Sequence, residues 1–231
     1  AGLTIAFACE CFEKGIITAA DTGGIELRFG DPGLMLKLLE MTAHRQGFGD
    51  LLAEGSARLA ARWAVADEAF CMCVKGQELA LHDPRIKAGV GLSYALSTYG
   101  ADHMNAPHDP SFVDEKSFSF QSVKPLGIFR PMPAVSLGND KVRSFVTLEK
   151  FWSMLDALGL CVFGFAPRGV MPIDTLVACI RAVTGWNASL FDLMQAAERS
   201  SALARAFNSR EGFSIKDDRI PARLYDPKPN G

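Results

Sequence analysis

The sequence is dominated by stretches in which apolar residues recur at intervals of three and four, the spacing that places them on one face of an α-helix. The first such stretch runs from about Thr4 to Lys14, and Gly15 follows it as a typical helix stop. Of 231 residues, 48% are hydrophobic, which is enough for a substantial buried core. The chain is therefore predicted to be mainly α, folded as an irregular multi-helix bundle.

Capping residues and glycines divide the remaining helices. Asp31 is predicted as an N-cap with Pro32 at the first helical position. Asn208 is interpreted as a left-handed stop of the last helix. Further helices are predicted from Gly49–Asp50 to Trp63, 88–97, Thr147 to Leu158 with Thr147 as N-cap, Pro172 or Asp174 to Val183, and Ser189 to Phe207. Residues 69–76 favour a strand, 100–137 form a long irregular connection of the kind that is often functional, and 216–231 form an extended tail.

Composition excludes several classes of protein. The net charge is -2 and no basic stripe is present, so no nucleic-acid partner is predicted. No apolar run approaches the roughly 20 residues that span a bilayer, so no membrane association is predicted. The six cysteines are interpreted as free thiols of a cytoplasmic protein, and neither Cys9 with Cys11 nor Cys71 with Cys73 has metal-ligand spacing. The turn at Asp83-Pro84-Arg85 predicts two domains, 1–85 and 86–231.

The segment from Asp156 to Cys161 carries the most chemistry. Gly159 is expected to end a helix in a left-handed turn, so that the following side chains face a ligand. Cys161 stands beyond that turn among apolar neighbours that predict dry surroundings, an environment that suits an iron–sulfur ligand. Taken alone, the spacing is more often found around a buried structural thiol.

Other segments accompany this one in a fixed order, namely 26–30, 47–55, 74–79 with 83–85, and 206–213. Together with Asp156-x-x-Gly159-Leu160-Cys161 they resemble the aldehyde ferredoxin oxidoreductase family of tungsten-pterin enzymes. The resemblance covers most of the chain and implies the C-terminal two domains of that fold. It implies that Asp156, Gly159 and Leu160 bind a pterin and that Cys161 supplies one ligand of a 4Fe-4S cluster.

The resemblance also implies an activity. The complete protein would use a tungsten or molybdenum bis-pterin and the cluster to oxidise aldehydes to carboxylic acids, passing electrons to a ferredoxin-type carrier. The family's N-terminal β-rich domain, its cysteine triad and its Asp-x-x-Gly-Leu-Asp motif are not in this sequence. We therefore expect a missing N-terminal domain as partner and a chain that is inactive when isolated. A cofactor-free fragment and a homodimer are further options.

Two histidines lie in a loop rich in glycine and proline, and histidine has the unperturbed pKa that proton transfer requires. The resembled family has a histidine near the metal in this region. His103 matches it by position and His108 is the reserve, so both are candidate catalytic residues. The alternative is a solvated histidine, or one hydrogen-bonded to Asp102 or Asp109. The remaining histidines, His44 and His82, are interpreted as structural or exposed.

Lys75 and Arg85 are candidates to pair with cofactor phosphates, because lysine and arginine are the usual phosphate-binding residues. An internal ion pair is the alternative for both. Three other functions stay open at this point: a non-catalytic helical assembly module, a helical scaffold unrelated to redox chemistry, and a low-potential reductase of aromatic acyl-thioesters on the same scaffold.

Overall fold

A computed structural model of the chain describes residues 1–66 and 70–226. Helices predominate throughout the described residues, which confirms the mainly α class. The described residues form two compact units: the first contains 1–66, 70–80, 99–101 and 218–226, and the second contains 81–98 and 102–217. The division into domains 1–85 and 86–231 stays a prediction.

The first unit contains four helices and one hairpin: α1 (Gly2–Glu13), α2 (Pro32–Ala43), α3 (Phe48–Leu52), α4 (Ser56–Arg62), β1 (Cys73–Val74) and β2 (Gln77–Glu78). The two strands pair antiparallel, with Cys73 opposite Glu78. The side chain of Asp31 accepts a hydrogen bond from the backbone N–H of Leu34 at 2.9 Å, so the predicted N-cap of α2 is confirmed.

The single helix predicted from Gly49–Asp50 to Trp63 is wrong. Gly55 has a φ of 86°, a left-handed conformation that interrupts the helical hydrogen bonds between α3 and α4. The apolar spacing continues across the break because both short helices face the same core. Of the segment predicted as a strand, Ala69 lies outside the described residues, and pairing begins only at Cys73.

A buried polar contact crosses the apolar core of the first unit. Glu78 on β2 accepts hydrogen bonds from the Thr4 hydroxyl at 3.0 Å and from the backbone N–H of Ser56 at 2.7 Å. Burial favours the neutral carboxyl, but these hydrogen bonds outweigh it and the pKa of Glu78 is lowered. The carboxylate thereby joins α1, α4 and the hairpin. Around it pack the apolar side chains of Ile5, Phe7, Ala8, Leu38, Phe48, Leu52, Leu59 and Phe70.

The second unit contains five helices: α5 (Ala88–Leu96), α6 (Phe118–Ser122), α7 (Asn139–Ala157), α8 (Ile173–Thr184) and α9 (Leu190–Arg210). The long helices α7 and α9 share the most extensive helix contact, and α8 packs with them over one apolar core. Gly185 stops α8 in a left-handed conformation, and Ser189 caps α9 with a capping box to Asp192. Both boundaries agree with the predicted ends of these helices.

Two predicted helix ends in this unit are wrong. α7 begins at Asn139, and Thr147 lies inside it, where its hydroxyl bonds to the carbonyl of Arg143 at 3.0 Å instead of capping. α9 continues past Asn208 to Arg210, and Gly212, with a φ of 96°, takes the left-handed position. The Asn208 amide instead donates to the carbonyl of Thr98.

The long irregular connection contains the short helix α6 and two 3-10 turns, Asp109–Phe112 and Lys124–Leu126. Its side chains form a separate apolar cluster around Phe112, Phe120 and Val123. The tail likewise contains 3-10 turns, at Ile215–Asp217 and Ala222–Tyr225, so it is not simply extended. None of the helices in the described ranges combines the length and apolar character that a bilayer crossing requires.

Asp109 is the polar centre of the second unit. Its carboxylate accepts hydrogen bonds from the backbone N–H groups of Gly89 at 3.0 Å and Val90 at 3.3 Å, at the start of α5. It also pairs with the Lys141 ammonium of α7 at 2.6 Å, and both side chains are at most 5% exposed. The start of α5, the 3-10 turn and α7 are therefore tied to one buried charge.

We predict that Lys141→Met lowers the free energy of unfolding by about 3 kcal/mol, because the Asp109 carboxylate would stay buried without its cation. Urea denaturation measures this loss. The matched control is Lys150→Met, which removes an ion pair with Glu198 whose side chains are 28% and 54% exposed and should cost at most about 1 kcal/mol. Equal losses in the two variants would contradict the role given to Asp109.

Candidate functional site

The end of α7 presents the predicted cluster ligand. Gly159 has a φ of 68°, which confirms the left-handed turn, and the N–H of Leu160 donates back to the carbonyl of Leu155 at 2.9 Å. The N–H of Gly159 donates to the carbonyl of Asp156 at 3.0 Å. These bonds close the last turn of the helix, so the direction in which the chain leaves α7 toward Cys161 is fixed.

The loop from 161 to 171, which we call the cysteine loop, is closed by its own backbone. The N–H of Gly164 donates to the carbonyl of Cys161 at 2.9 Å, and the N–H of Ala166 donates to the carbonyl of Met171 at 3.0 Å. A Cβ added to Gly169 would lie 2.2 Å from the backbone carbon of Gly164, so only glycine fits there. The position of Cys161 is thus held by main-chain contacts.

The side chain of Cys161 is exposed and is not part of a disulfide. Its apolar neighbours Phe163 and Val170 are 63% and 86% exposed. The expectation of dry surroundings is therefore wrong for the described residues, because only the half-buried Leu160 and Val162 turn toward the core of the second unit. The structure presents a free thiol on an apolar surface, where a ligand can reach it.

Asp156 lies in the last turn of α7 with its carboxylate accessible. Among the described residues, no hydrogen bond or ion pair engages that side chain. Partial burial and the negative charge of Asp102 raise its pKa. An acceptor without protein donors suits the amino groups of a pterin, which are hydrogen-bond donors, so the geometry fits the predicted role.

Three histidine rings form a cluster in the second unit. The ring centroid of His82 lies 4.9 Å from that of His103 and 4.5 Å from that of His108. The centroids of His103 and His108 are 5.8 Å apart. The sequence interpretation of His82 as structural or exposed stays a prediction; in the structure its ring contacts both candidate catalytic residues. The neighbouring Tyr94 hydroxyl donates to the carbonyl of His82 at 3.1 Å.

Two rings of the histidine cluster, those of His108 and His82, have lowered pKa values. Burial is the main cause for His108; together with the charges of Arg168, His82 and Lys87 it lowers the pKa to about 4, against a hydrogen bond to the carbonyl of His103 that raises it. Burial, followed by the charge of Lys87, also lowers the pKa of His82. At neutral pH these two rings are therefore uncharged and keep a lone pair that can accept a proton.

Arg168 connects the cysteine loop with the histidine cluster. Its guanidinium lies 5.2 Å from the centroid of the Phe163 ring and 3.6 Å from the sulfur of Met104. Its positive charge contributes to lowering the pKa of both His82 and His108. The two candidate segments, 60 or so residues apart in sequence, are thus neighbours in the second unit.

The two candidate phosphate ligands have partners within the protein. Lys75 pairs with Asp218 at 2.8 Å, and their side chains are 4% and 7% exposed. Arg85 pairs with Asp83 at 2.8 Å across the turn that joins them. These contacts favour the internal ion pair, the alternative that the sequence left open for both residues.

In the described ranges, no group of three or more histidine, cysteine or acidic side chains has the arrangement of a complete metal site. The six cysteines are free, as expected, although Cys161 and Cys179 are exposed and not buried. Cys161 therefore fits a single ligand whose companions come from other segments. Sequence reasoning missed His82, Lys87 and Arg168, and the one available signal was the presence of three histidines within a short stretch.

Comparisons with known proteins show which family the chain resembles. The family model for aldehyde ferredoxin oxidoreductase, domains 2 and 3, matches residues 1–231. A tungsten-containing aldehyde ferredoxin oxidoreductase of Pyrococcus abyssi is 33% identical over 235 residues, which cover all of this chain and 36% of that protein. The WOR-like subunit of an aliphatic sulfonate oxidoreductase of Pyrococcus furiosus is 32% identical and is covered over 33% of its length.

A solved structure is also similar. The active-site complex BamBC of benzoyl coenzyme A reductase, in complex with 1,5-dienoyl-CoA, matches with a TM-score of 0.66 and 25% identity. The match covers 98% of this chain and 38% of that one. The chain thus spans little more than a third of the proteins it resembles.

We predict that Gly169→Ala destabilises the protein by about 3 kcal/mol, because the added methyl group would overlap the backbone of the cysteine loop. Gly159→Ala is the matched control: its Cβ meets no atom within 4 Å, so only the left-handed backbone conformation costs about 1 kcal/mol. Urea denaturation compares the two. If Gly169→Ala were no worse than Gly159→Ala, the close approach would be wrong.

We also predict that stability falls as the pH is lowered from 6.5 to about 4, the ordinary and the folded-state pKa of His108. In this range the unfolded chain binds a proton that the folded chain does not, so acid favours unfolding. His108→Gln keeps a donor for the carbonyl of His103 and should flatten the dependence measured by denaturation at each pH. The exposed His44→Gln is the control; an identical slope in both variants would refute the prediction.

Proposed function

Because the chain belongs to the aldehyde ferredoxin oxidoreductase family, as part of an oxidoreductase, we propose that its second unit forms one wall of a tungsten-pterin site. The complete protein would oxidise aldehydes to carboxylic acids and pass two electrons through a 4Fe-4S cluster to a ferredoxin-type carrier. The bound metal and cluster would supply the redox chemistry. The residues described above would bind, orient and move protons.

Cys161 and Asp156 are the proposed cofactor ligands. The Cys161 thiol would lose its proton and bind one iron, since iron–sulfur clusters are held by thiolates. The Asp156 carboxylate would accept hydrogen bonds from the pterin amino groups. Gly159 would contribute its left-handed turn, because of which the side chains of Asp156 and Cys161 point in different directions. Leu160 anchors the turn in the core.

His103 is the proposed proton-transfer residue, with His108 behind it. Oxidation of an aldehyde with one water releases two protons together with two electrons, so the site needs a base. The His103 side chain is 35% exposed, so a substrate could reach its ring, and its Nδ1 lies 3.8 Å from a carboxylate oxygen of Asp102. The His108 Nε2 lies 2.8 Å from the carbonyl of His103 and steadies that segment.

The observation that supports this proposal is that the residues assigned by resemblance lie in one compact unit. Burial and the negative charge of Asp102, the residue before His103, raise the pKa of Asp156 at the end of α7. Arg168, in the cysteine loop, acts on His108. The proposed pterin ligand, cluster ligand and base therefore come together in one unit, although they derive from separate segments of the chain.

The decisive experiment replaces Cys161 with alanine in the full-length protein, with the exposed Cys179→Ala on α8 as the matched control. We expect Cys161→Ala to lose the roughly four irons of the cluster and its paramagnetic signal, and to lower aldehyde-dependent dye reduction by about 100-fold or more. Cys179→Ala should retain both. Unchanged iron and sulfide content in Cys161→Ala would refute the ligand.

The substrate class has its own test. The purified protein is assayed for reduction of a viologen dye with aliphatic and aromatic aldehydes, and for consumption of aromatic acyl-thioesters with a low-potential donor. We expect turnover with an aldehyde. Turnover restricted to the thioesters would replace aldehyde oxidation by the reductase activity, and folded protein without iron would support a non-catalytic module.

A further inference from the structure

The tautomer of His82 is dictated by its partner. The Nδ1 atom of His82 lies 3.0 Å from the Nζ atom of Lys87. A lysine ammonium has three donors and no acceptor, so Nδ1 must accept and the ring proton must sit on Nε2. His82 is therefore fixed as a neutral ring with its N–H on the side away from Lys87.

The tautomer of His108 follows from the same logic. Its Nε2 lies 2.8 Å from the carbonyl oxygen of His103, which can only accept. The Nε2 atom must carry the proton, and the neutral ring keeps its lone pair on Nδ1. Two rings of the cluster thus have defined tautomers, and His82 packs edge-on against His108 and beside His103.

We propose that His82 and Lys87 are positioning residues: Lys87 fixes the tautomer of His82, and the His82 ring holds the His103 and His108 rings in place. Lys87 acts through the Nδ1 atom of His82, and neither residue needs to touch the substrate. This role rests on the proposed function, since the rings that are held include the proposed base His103. The tautomer itself does not depend on that function.

Charged and titratable groups surround the histidine cluster. The charged or titratable groups that act on it from its own and the adjoining segments are Lys87, Arg168, Asp102 and the three histidines themselves. Asp102 is the acidic member, and its 3.8 Å separation from His103 is too long for a hydrogen bond. Lys87 and Arg168 are the two cations among these groups, and both lower the pKa of His82 and of His108, after burial, which is the largest cause.

Three substitutions at Lys87 separate its charge from its hydrogen bond. Lys87→Gln retains an N–H donor without the charge, Lys87→Met removes both, and Lys87→Arg retains both. The control is Lys150→Gln, which removes a charge paired with Glu198 at 2.7 Å on the surface of the second unit. All are made in the full-length protein, so that the cofactors and the rest of the chain are present.

The first readout is the nitrogen spectrum of histidine-labelled protein, followed against pH. We expect the Nε2–H tautomer of His82 to persist in Lys87→Gln and Lys87→Arg and to be lost in Lys87→Met. Titration of His82 and His108 should move to higher pH in Lys87→Gln and Lys87→Met, because a repelling charge is gone, and stay in place in Lys87→Arg. Unchanged tautomer and titration in every Lys87 variant would overturn the proposal.

The second readout is the pH profile of aldehyde oxidation. In Lys87→Gln the acid limb should move to higher pH, with kcat near neutrality reduced by about tenfold and KM little changed. Lys87→Arg should restore both, and Lys150→Gln should match the parent. An equal loss of kcat at all pH values, without recovery in Lys87→Arg, would mean that Lys87 serves folding only.

The two readouts keep this inference separate from the proposed function. If no aldehyde is oxidised but the spectra respond to Lys87 as expected, the proposed function fails and the positioning of the rings stands. If the protein oxidises aldehydes but neither the spectra nor the pH profile responds to Lys87, the proposed function stands and the positioning role of His82 and Lys87 fails.

Discussion

The second unit depends on one buried charge. The Asp109 carboxylate is surrounded by two backbone N–H groups of α5 and the ammonium of Lys141, and it is nearly inaccessible to solvent. A charge in that position is tolerable only when each partner is present, so three segments must meet at the same time. His108 directly precedes Asp109, and the histidine cluster therefore inherits its placement from this contact.

Local signals were predictable from the sequence. Asp31 and Ser189 cap helices because their side chains bond to N–H groups three residues away, and Gly159 and Gly185 end helices because they adopt left-handed conformations. Each of these choices is decided within one helical turn. The early start of α7 was predicted wrongly, because it is not decided within one helical turn and depends on distant packing.

The composition of the candidate site was only partly predictable. Cys161, Asp156 and His103 were reached by resemblance, which transfers residue types at known spacings. The partners of His82 were not, because Lys87 and Arg168 are ordinary residues until the fold places them beside imidazole rings. Lys75 illustrates the converse: a cation suited to phosphate by type pairs with Asp218, which is 143 positions further along the chain.

The cysteine loop is shaped by main-chain hydrogen bonds and by the absence of a side chain at Gly169. Phe163 and Val170 project outward from it and contribute little to its form. In a loop of this kind, the glycine positions accept few other residues, whereas the outward positions accept many different side chains. Substitutions at Phe163 or Val170 would therefore change the surface around the thiol without displacing its sulfur atom.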